Sequence, residues 1–84
     1  MLSQDAGQMS IQITDIGQIA TLFCFGFIYK NIDRSDPKQV VFIFEDSAEI
    51  RKLLSEYQRD EVICPAQSLL SALKRAKHIL YDYQ

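Results

Sequence analysis

Gln39-Val40-Val41-Phe42-Ile43-Phe44-Glu45 is the stretch that decides the fold, because it carries the strongest β-strand signal in the chain. A strand with one buried face alternates apolar and polar residues, since successive side chains point to opposite faces. Here Val40, Phe42 and Phe44 share one face, and Val41 and Ile43 share the other. We therefore expect a strand that is apolar on both faces and needs cover on both.

The residues before this stretch predict its hairpin partner. Residues 27–33 contain aromatic and β-branched side chains and are predicted to form a strand. Residues 35–38 form the predicted turn, in which Pro37 has the backbone angle that the second turn position needs. The second face of this hairpin could be covered by a helix of the same chain or by a second copy of the chain. For the second case we predict an interface formed by four residues, Tyr29, Val40, Phe42 and Phe44.

A first helix is predicted to begin at Thr14 or Asp15 and to end at Gly26. Asp15 and Gln18 have capping-box spacing, and Gly26 accepts the left-handed conformation that often ends a helix. Gly17 lowers helix propensity, so we expect it to permit the close approach of another element. The apolar positions follow helical spacing: Ile16, Ile19, Ala20 and Phe23.

Two more amphipathic helices are predicted after the hairpin. The second covers about residues 47–59, with Asp46 and Glu49 as its capping box. Its apolar positions are Ile50, Leu53, Leu54 and Tyr57. Residues 62–64 could form a brief third strand, and Pro65 then opens the third helix. The apolar face predicted for that helix comprises Leu69, Leu70, Leu73, Ala76 and Leu80.

These elements predict a single α+β domain. The 84 residues are 48% hydrophobic and 24% charged, which is the balance of one globular domain. We expect residues 1–10 to form a flexible N-terminal tail and residues 11–84 to form the domain. Its predicted architecture is a two- to three-stranded antiparallel sheet packed with three amphipathic helices, in the order α-β-β-α-(β)-α.

Several observations favour a soluble cytoplasmic protein. Cys24 and Cys64 lie among apolar residues and fit neither a disulfide framework nor a zinc motif, so reduced thiols are expected. Residues 1–10 do not have the pattern of a signal peptide. The longest apolar stretch, residues 19–29, is too short to span a bilayer.

The sequence predicts neither an enzyme nor a cofactor site. No catalytic residue and no metal-ligand set can be assigned, because the possible acids, bases and nucleophiles are scattered. Glu45, Asp46 and Glu49 form the best acidic cluster and could suggest a magnesium-dependent hydrolase or nuclease. Helix capping already accounts for Asp46 and Glu49, so the hydrolase or nuclease hypothesis ranks last.

A basic run on the third helix is the main electrostatic feature. The net charge of −2 argues mildly against a free-standing nucleic-acid-binding protein. A local basic face could still contact phosphates through charge and counterion release. The alternative is a solvated helix end that its own dipole favours. The residues of this candidate face are Lys74, Arg75, Lys77 and His78, together with Arg51 and Lys52.

The order of these motifs resembles a family of small prokaryotic and phage proteins that is described as a domain of unknown function. The resemblance covers roughly residues 13–82, and its most specific part is the junction of residues 42–51. It also includes Thr14-Asp15-Ile16, Gly26-Phe27 and the last helix from Pro65 to Tyr81. The resemblance implies a stand-alone domain of bacterial, archaeal, phage or mobile-element origin, and it assigns no catalytic residue.

The first functional hypothesis is a small non-enzymatic interaction protein that forms a homodimer and docks on an unidentified protein. Its basis is the two-faced hairpin within a small core. The second hypothesis is a nucleic-acid-binding accessory protein of a phage or mobile element, based on the basic run.

Overall fold

A computed structural model of the protein describes residues 9–82. It has the predicted α+β fold, with three helices and one antiparallel sheet. The elements are β1 (Ser10–Ile13), α1 (Ile16–Cys24), β2 (Asn31–Asp36), β3 (Gln39–Glu45), α2 (Ala48–Gln58) and α3 (Ala66–Asp82).

The sheet has the strand order β1-β3-β2, so the apolar stretch Gln39–Glu45 forms its central strand. Both neighbours are antiparallel to β3. Phe42 is paired with Ile13 of β1 and with Ile32 of β2, which places three apolar side chains side by side on one face. Burial of this apolar row fixes the register, because a slip of one residue would turn it toward the opposite face.

The third strand is β1 and not the predicted segment 62–64, so that prediction is wrong. Residues 61–65 have no regular secondary structure. Ser10, which was assigned to the N-terminal tail, is instead paired with Glu45 of β3. Met9 is also held beside β3, since its carbonyl oxygen accepts a hydrogen bond from the Asp46 N–H at 3.3 Å. The remaining residues of the predicted tail, 1–8, lie outside the described residues.

The first hairpin strand begins later than predicted, at Asn31 rather than at residue 27. Phe27 and Tyr29 pack against the core from the segment between α1 and β2. The turn consists of Pro37 and Lys38, within the predicted segment 35–38, and Pro37 occupies the second turn position as predicted. The preceding aspartate stabilises it, since the Lys38 N–H donates to Asp36 Oδ1 at 2.9 Å.

The core lies between one face of the sheet and the helices. Phe42 and Phe44 are 0% exposed, and the Phe23 ring of α1 lies 6.3 Å from each of their ring centroids. α3 packs closely on α1, and its buried residues at this layer are the small Ala72 and Ala76. Small side chains allow the two helices to approach each other.

Both ends of α1 follow the sequence prediction. The Gln18 N–H donates to Asp15 Oδ2 at 3.0 Å, so Asp15 is the N-cap. At the other end Gly26 has φ +93°. The Gly26 N–H donates to Phe23 O at 3.0 Å and the Phe27 N–H donates to Leu22 O at 2.9 Å. This pair of bonds is the Schellman motif, which satisfies carbonyl groups that the helix end leaves unpaired.

Two predictions about the other helices are wrong. The N-cap of α2 is Ser47, whose Oγ accepts a hydrogen bond from the Ile50 N–H at 3.1 Å, and not Asp46.

On α3, Leu70 is 62% exposed although it was assigned to the apolar face. One residue turns a helix by about 100°, so Leu70 points away from the row that begins at Leu69 and continues through Ala72 and Ala76.

Candidate interaction surfaces

The face of the sheet opposite the helices is the first candidate surface, and we call it the open face. Val41 and Ile43 project from the centre of this face and are half-buried. Neither of them packs against the core cluster. Ile43 is paired with Gln12 and Asn31, and Val41 is paired with Asp33. The open face therefore has an apolar centre bordered by exposed polar side chains.

The four residues predicted for a dimer interface lie on the other side of the sheet. Phe42 and Phe44 are fully buried inside the single chain. Val40 and Tyr29 pack against the core, and the ring centroids of Tyr29 and Phe42 are 5.5 Å apart. Phe42 and Phe44 are therefore removed from the predicted interface, because a side chain enclosed in its own core cannot contact a partner. Val40 and Tyr29 are half-buried, and their assignment stays a prediction. The bulkier aromatic face of β3 is the one that the helices cover.

Ile28 is an exposed apolar residue that the sequence prediction placed within a strand. Its side chain is 80% exposed, and it lies between two depressions at the end of the sheet. One depression, of about 290 Å³, is lined by Phe27, Ile28, Glu45, Asp46, Ser47 and Ile50. The other, of about 410 Å³, is lined by Phe23, Gly26, Phe27, Ile28, Tyr29, Arg75 and Ile79. Ile28 therefore adds apolar surface close to the last residue of β3.

A basic patch on α3 is the second candidate surface. Lys74, Lys77 and His78 are exposed and line a shallow depression of about 360 Å³ together with Tyr81. They share one side of the helix, because residues three and four positions apart lie on the same helical face. Tyr81 is 60% exposed, so its ring is accessible beside the three basic groups. We call these four residues the α3 basic patch.

The other three residues of the predicted basic face do not line this depression. The guanidinium carbon of Arg75 lies 5.2 Å from the Phe23 ring centroid, which is a cation–π contact at the edge of the core. Arg51 forms an ion pair with Asp46, and Lys52 is exposed on α2. The main helix contact of α2 is with α1. The six predicted residues therefore do not form one continuous face around the α3 basic patch.

The acidic cluster has a structural explanation at Asp46. The Arg51 Nε donates to Asp46 Oδ1 at 2.8 Å, and this charged hydrogen bond holds the pKa of the Asp46 carboxyl below its usual value. The same interaction raises the pKa of Arg51. Glu49 is exposed in the first turn of α2, where a negative charge is favourable. Within residues 9–82, no group of three or more His, Cys, Asp or Glu side chains is arranged to hold a metal ion.

None of the helices in residues 9–82 is long and apolar enough to cross a membrane.

Comparison with known proteins identifies the family. The searches among curated proteins and among solved structures found no match. The family model described as Domain of unknown function (DUF5659) matches residues 8–82. Because this match covers nearly the whole chain, the protein belongs to the DUF5659 family.

Proposed function

We propose that this domain is a small cytoplasmic interaction protein without catalytic activity, and that it self-associates through the open face of its sheet. The observation that carries the proposal is the position of Val41 and Ile43. Both lie on the central strand, yet neither packs against the core that the helices cover. Contact with a second open face would remove their remaining apolar surface from water.

The dimensions of the open face set the strength of this association. The three strands have four, six and seven residues. With a rise of about 3.3 Å per residue and a strand spacing of about 4.8 Å, they give an area of roughly 270 Å². A stable interface usually buries roughly 800 Å² on each partner. The open face alone therefore supports a weak dimer whose population depends on concentration.

Sedimentation velocity over a wide concentration range tests this proposal with the full chain. We expect the wild-type sedimentation coefficient to rise with concentration and the Ile43→Lys variant to remain a monomer. Leu70→Lys is the matched control, because Leu70 is an exposed aliphatic residue in the helical layer. Circular dichroism checks that each variant is folded. A wild-type protein that stays monomeric at every concentration, or a Leu70→Lys variant as impaired as Ile43→Lys, would overturn the proposal.

Binding of single-stranded nucleic acid is the second candidate function, and the α3 basic patch favours it. Lys74 and Lys77 can contact phosphates, and an exposed ring such as Tyr81 offers a base a stacking surface. With these two phosphate contacts, affinity for a single strand should fall roughly sevenfold between 50 and 200 mM salt. This function would suit an accessory protein of bacterial, phage or mobile-element origin.

Fluorescence anisotropy with a labelled oligonucleotide separates the two candidates. We expect Lys74→Glu with Lys77→Glu to abolish binding and Lys52→Glu to leave most of it, since Lys52 lies outside the patch. Ile43→Lys should not affect nucleic-acid binding, because Ile43 lies on the open face. No binding at 50 mM salt, or binding that is insensitive to salt, would remove this second candidate.

A further inference from the structure

Two surface depressions adjoin each other at the contact between Arg75 and Phe23. One is the depression of about 410 Å³ that also borders Ile28. The other has a volume of about 380 Å³ and lies along the first three turns of α3. Phe23 and Arg75 line both of them, so the two depressions meet at this pair. We call the two together the Arg75 groove.

The two halves of the Arg75 groove differ in chemistry. The larger half is lined, apart from Gly26 and Arg75, by apolar and aromatic side chains, which are Phe23, Phe27, Ile28, Tyr29 and Ile79. The smaller half has the hydroxyl groups of Ser68 and Ser71 and the amide of Gln67. Ser68, Ser71 and Arg75 follow one another at intervals of three and four residues, so they form one row along α3. The groove therefore has an apolar end and a polar end, with a cation where they meet.

Arg75 has its contact with a ring but no partner of opposite charge. Its residue is exposed, and its guanidinium carbon lies 5.2 Å from the Phe23 ring centroid. Within residues 9–82 the guanidinium has neither a carboxylate nor a hydrogen-bond acceptor as a partner. Its planar set of N–H donors matches the two oxygens of a carboxylate. None of the described residues that line the Arg75 groove is acidic, so a carboxylate can approach Arg75 without repulsion there.

We propose that the Arg75 groove binds a small carboxylate that carries an aromatic or aliphatic group. The carboxylate pairs with Arg75 and accepts a hydrogen bond from the Ser71 hydroxyl, and the apolar group lies over Phe27 and Tyr29. Such a ligand supplies the missing negative charge and removes apolar surface from water. This inference goes beyond the self-association proposed above and does not depend on it.

The charges near the two ends of the groove set the orientation of the ligand. Ile28 also borders the depression of about 290 Å³, which Glu45 and Asp46 line. A carboxylate at that end would be repelled by these two side chains. Lys74 is the neighbour of Arg75 on α3 and adds positive charge at the other end. The negative group therefore lies at Arg75, and the apolar group points toward Ile28.

Amide NMR spectra of the full chain test the proposal with three probes at one protein concentration. The probes are 4-phenylbutyrate, its neutral analogue 4-phenyl-1-butanol, and acetate. For 4-phenylbutyrate, with about 12 non-hydrogen atoms, we expect a Kd on the order of 1 mM. The alcohol lacks the charge and acetate lacks the apolar group, so each should bind at least about tenfold more weakly. The largest shifts should fall at Tyr29, Ser71 and Arg75, and the Ile43 amide of the open face should stay constant.

Three variants separate the charged contact from the apolar one. Arg75→Gln should lower the affinity for 4-phenylbutyrate at least about tenfold and abolish the preference for the acid over the alcohol. Ile28→Ser should weaken the binding of both probes, and Ile28 is 80% exposed, so this change leaves the core intact. Lys77→Gln is the matched control, because Lys77 is an exposed cation of α3 that lines neither half of the groove.

Several results would overturn the proposal. Equal binding of the acid and the alcohol would remove the role of Arg75, and acetate that binds as well as 4-phenylbutyrate would indicate a general attraction of anions. The absence of shifts with every probe, or shifts confined to the α3 basic patch, would contradict the groove as the site. An Arg75→Gln variant that keeps the preference for the acid, or a Lys77→Gln variant that is equally impaired, would also contradict it. The comparison of the three probes on the wild-type chain stands even if a variant is unstable.

Discussion

Replacing Gly17 by alanine tests the packing of α1 against α2. A β-carbon at position 17 would overlap the hydroxyl group of Tyr57 and would lie 3.3 Å from its Cζ. That hydroxyl donates a hydrogen bond to Asp15 Oδ2 at 3.2 Å, which joins the start of α1 to the end of α2. Gly17→Ala therefore displaces the Tyr57 ring and breaks this hydrogen bond.

Gly17→Ala changes the free energy of unfolding through one stabilising and two destabilising contributions. Alanine in place of glycine stabilises a helix by up to about 1 kcal/mol. Overpacking costs about 1–3 kcal/mol, and loss of a partly exposed hydrogen bond costs about 0.5–1.5 kcal/mol. We expect a net destabilisation of about 1–2 kcal/mol. In a domain of this size, that corresponds to a decrease of roughly 4–16 °C in melting temperature.

A double-mutant cycle with Tyr57→Phe separates these contributions. The phenylalanine ring lacks the overlapping hydroxyl group, so Gly17→Ala in that background should be neutral or stabilising by up to about 1 kcal/mol. Urea denaturation of the four proteins gives the coupling energy, which we expect to exceed about 1 kcal/mol. The reasoning fails if Gly17→Ala stabilises the wild-type background, or if its effect is the same in both backgrounds.

Three further predictions follow from single residues, and denaturation experiments check all of them. Gly26→Ala should lower the free energy of unfolding by about 1–2 kcal/mol, because φ +93° strains a residue that has a side chain. Gly26→Asn should lower it by less. Equal effects of the two variants would argue against a backbone origin. Phe42→Ala should cost about 3–5 kcal/mol, because Phe42 is fully buried, and a cost below 1 kcal/mol would place it outside the core. The lowered pKa of Asp46 stabilises the fold above the unfolded pKa of about 4, and this stabilisation is lost as the pH falls through the folded value. Asp46→Asn should therefore flatten the acid limb of the stability profile, and an unchanged limb would contradict the Arg51 interaction.

The sequence predicted those parts of the fold that depend on residues close together in the sequence. Asp15 and Gly26 bound α1 as predicted, since capping involves residues only a few positions apart. The start of α2 was harder to assign, because Asp46 and Ser47 are both good N-caps and the pairing of Asp46 with Arg51 leaves Ser47 in that role. β1 was missed as a paired strand because its residues pair with residues of β3 that lie about 30 positions further along the chain.

The sequence predicted the residues of a candidate surface only where their positions along one helix were enough to place them on the same side. Lys74, Lys77 and His78 share one side of α3, as expected. Arg75 was included in the candidate basic face from a position further round the helix, but its contact with Phe23 depends on how α1 and α3 pack. The pattern of β3 indicated two apolar faces and could not show which one the helices would cover.

The most direct test of the open face as the association surface is a dilution series followed by amide NMR spectra. We predict concentration-dependent shifts at Val41 and Ile43 and at the neighbouring Gln12 and Asn31. Amides of the exposed side of α3, such as that of Leu70, should stay constant. Shifts confined to α3, or spectra that do not change with concentration, would contradict self-association through the sheet.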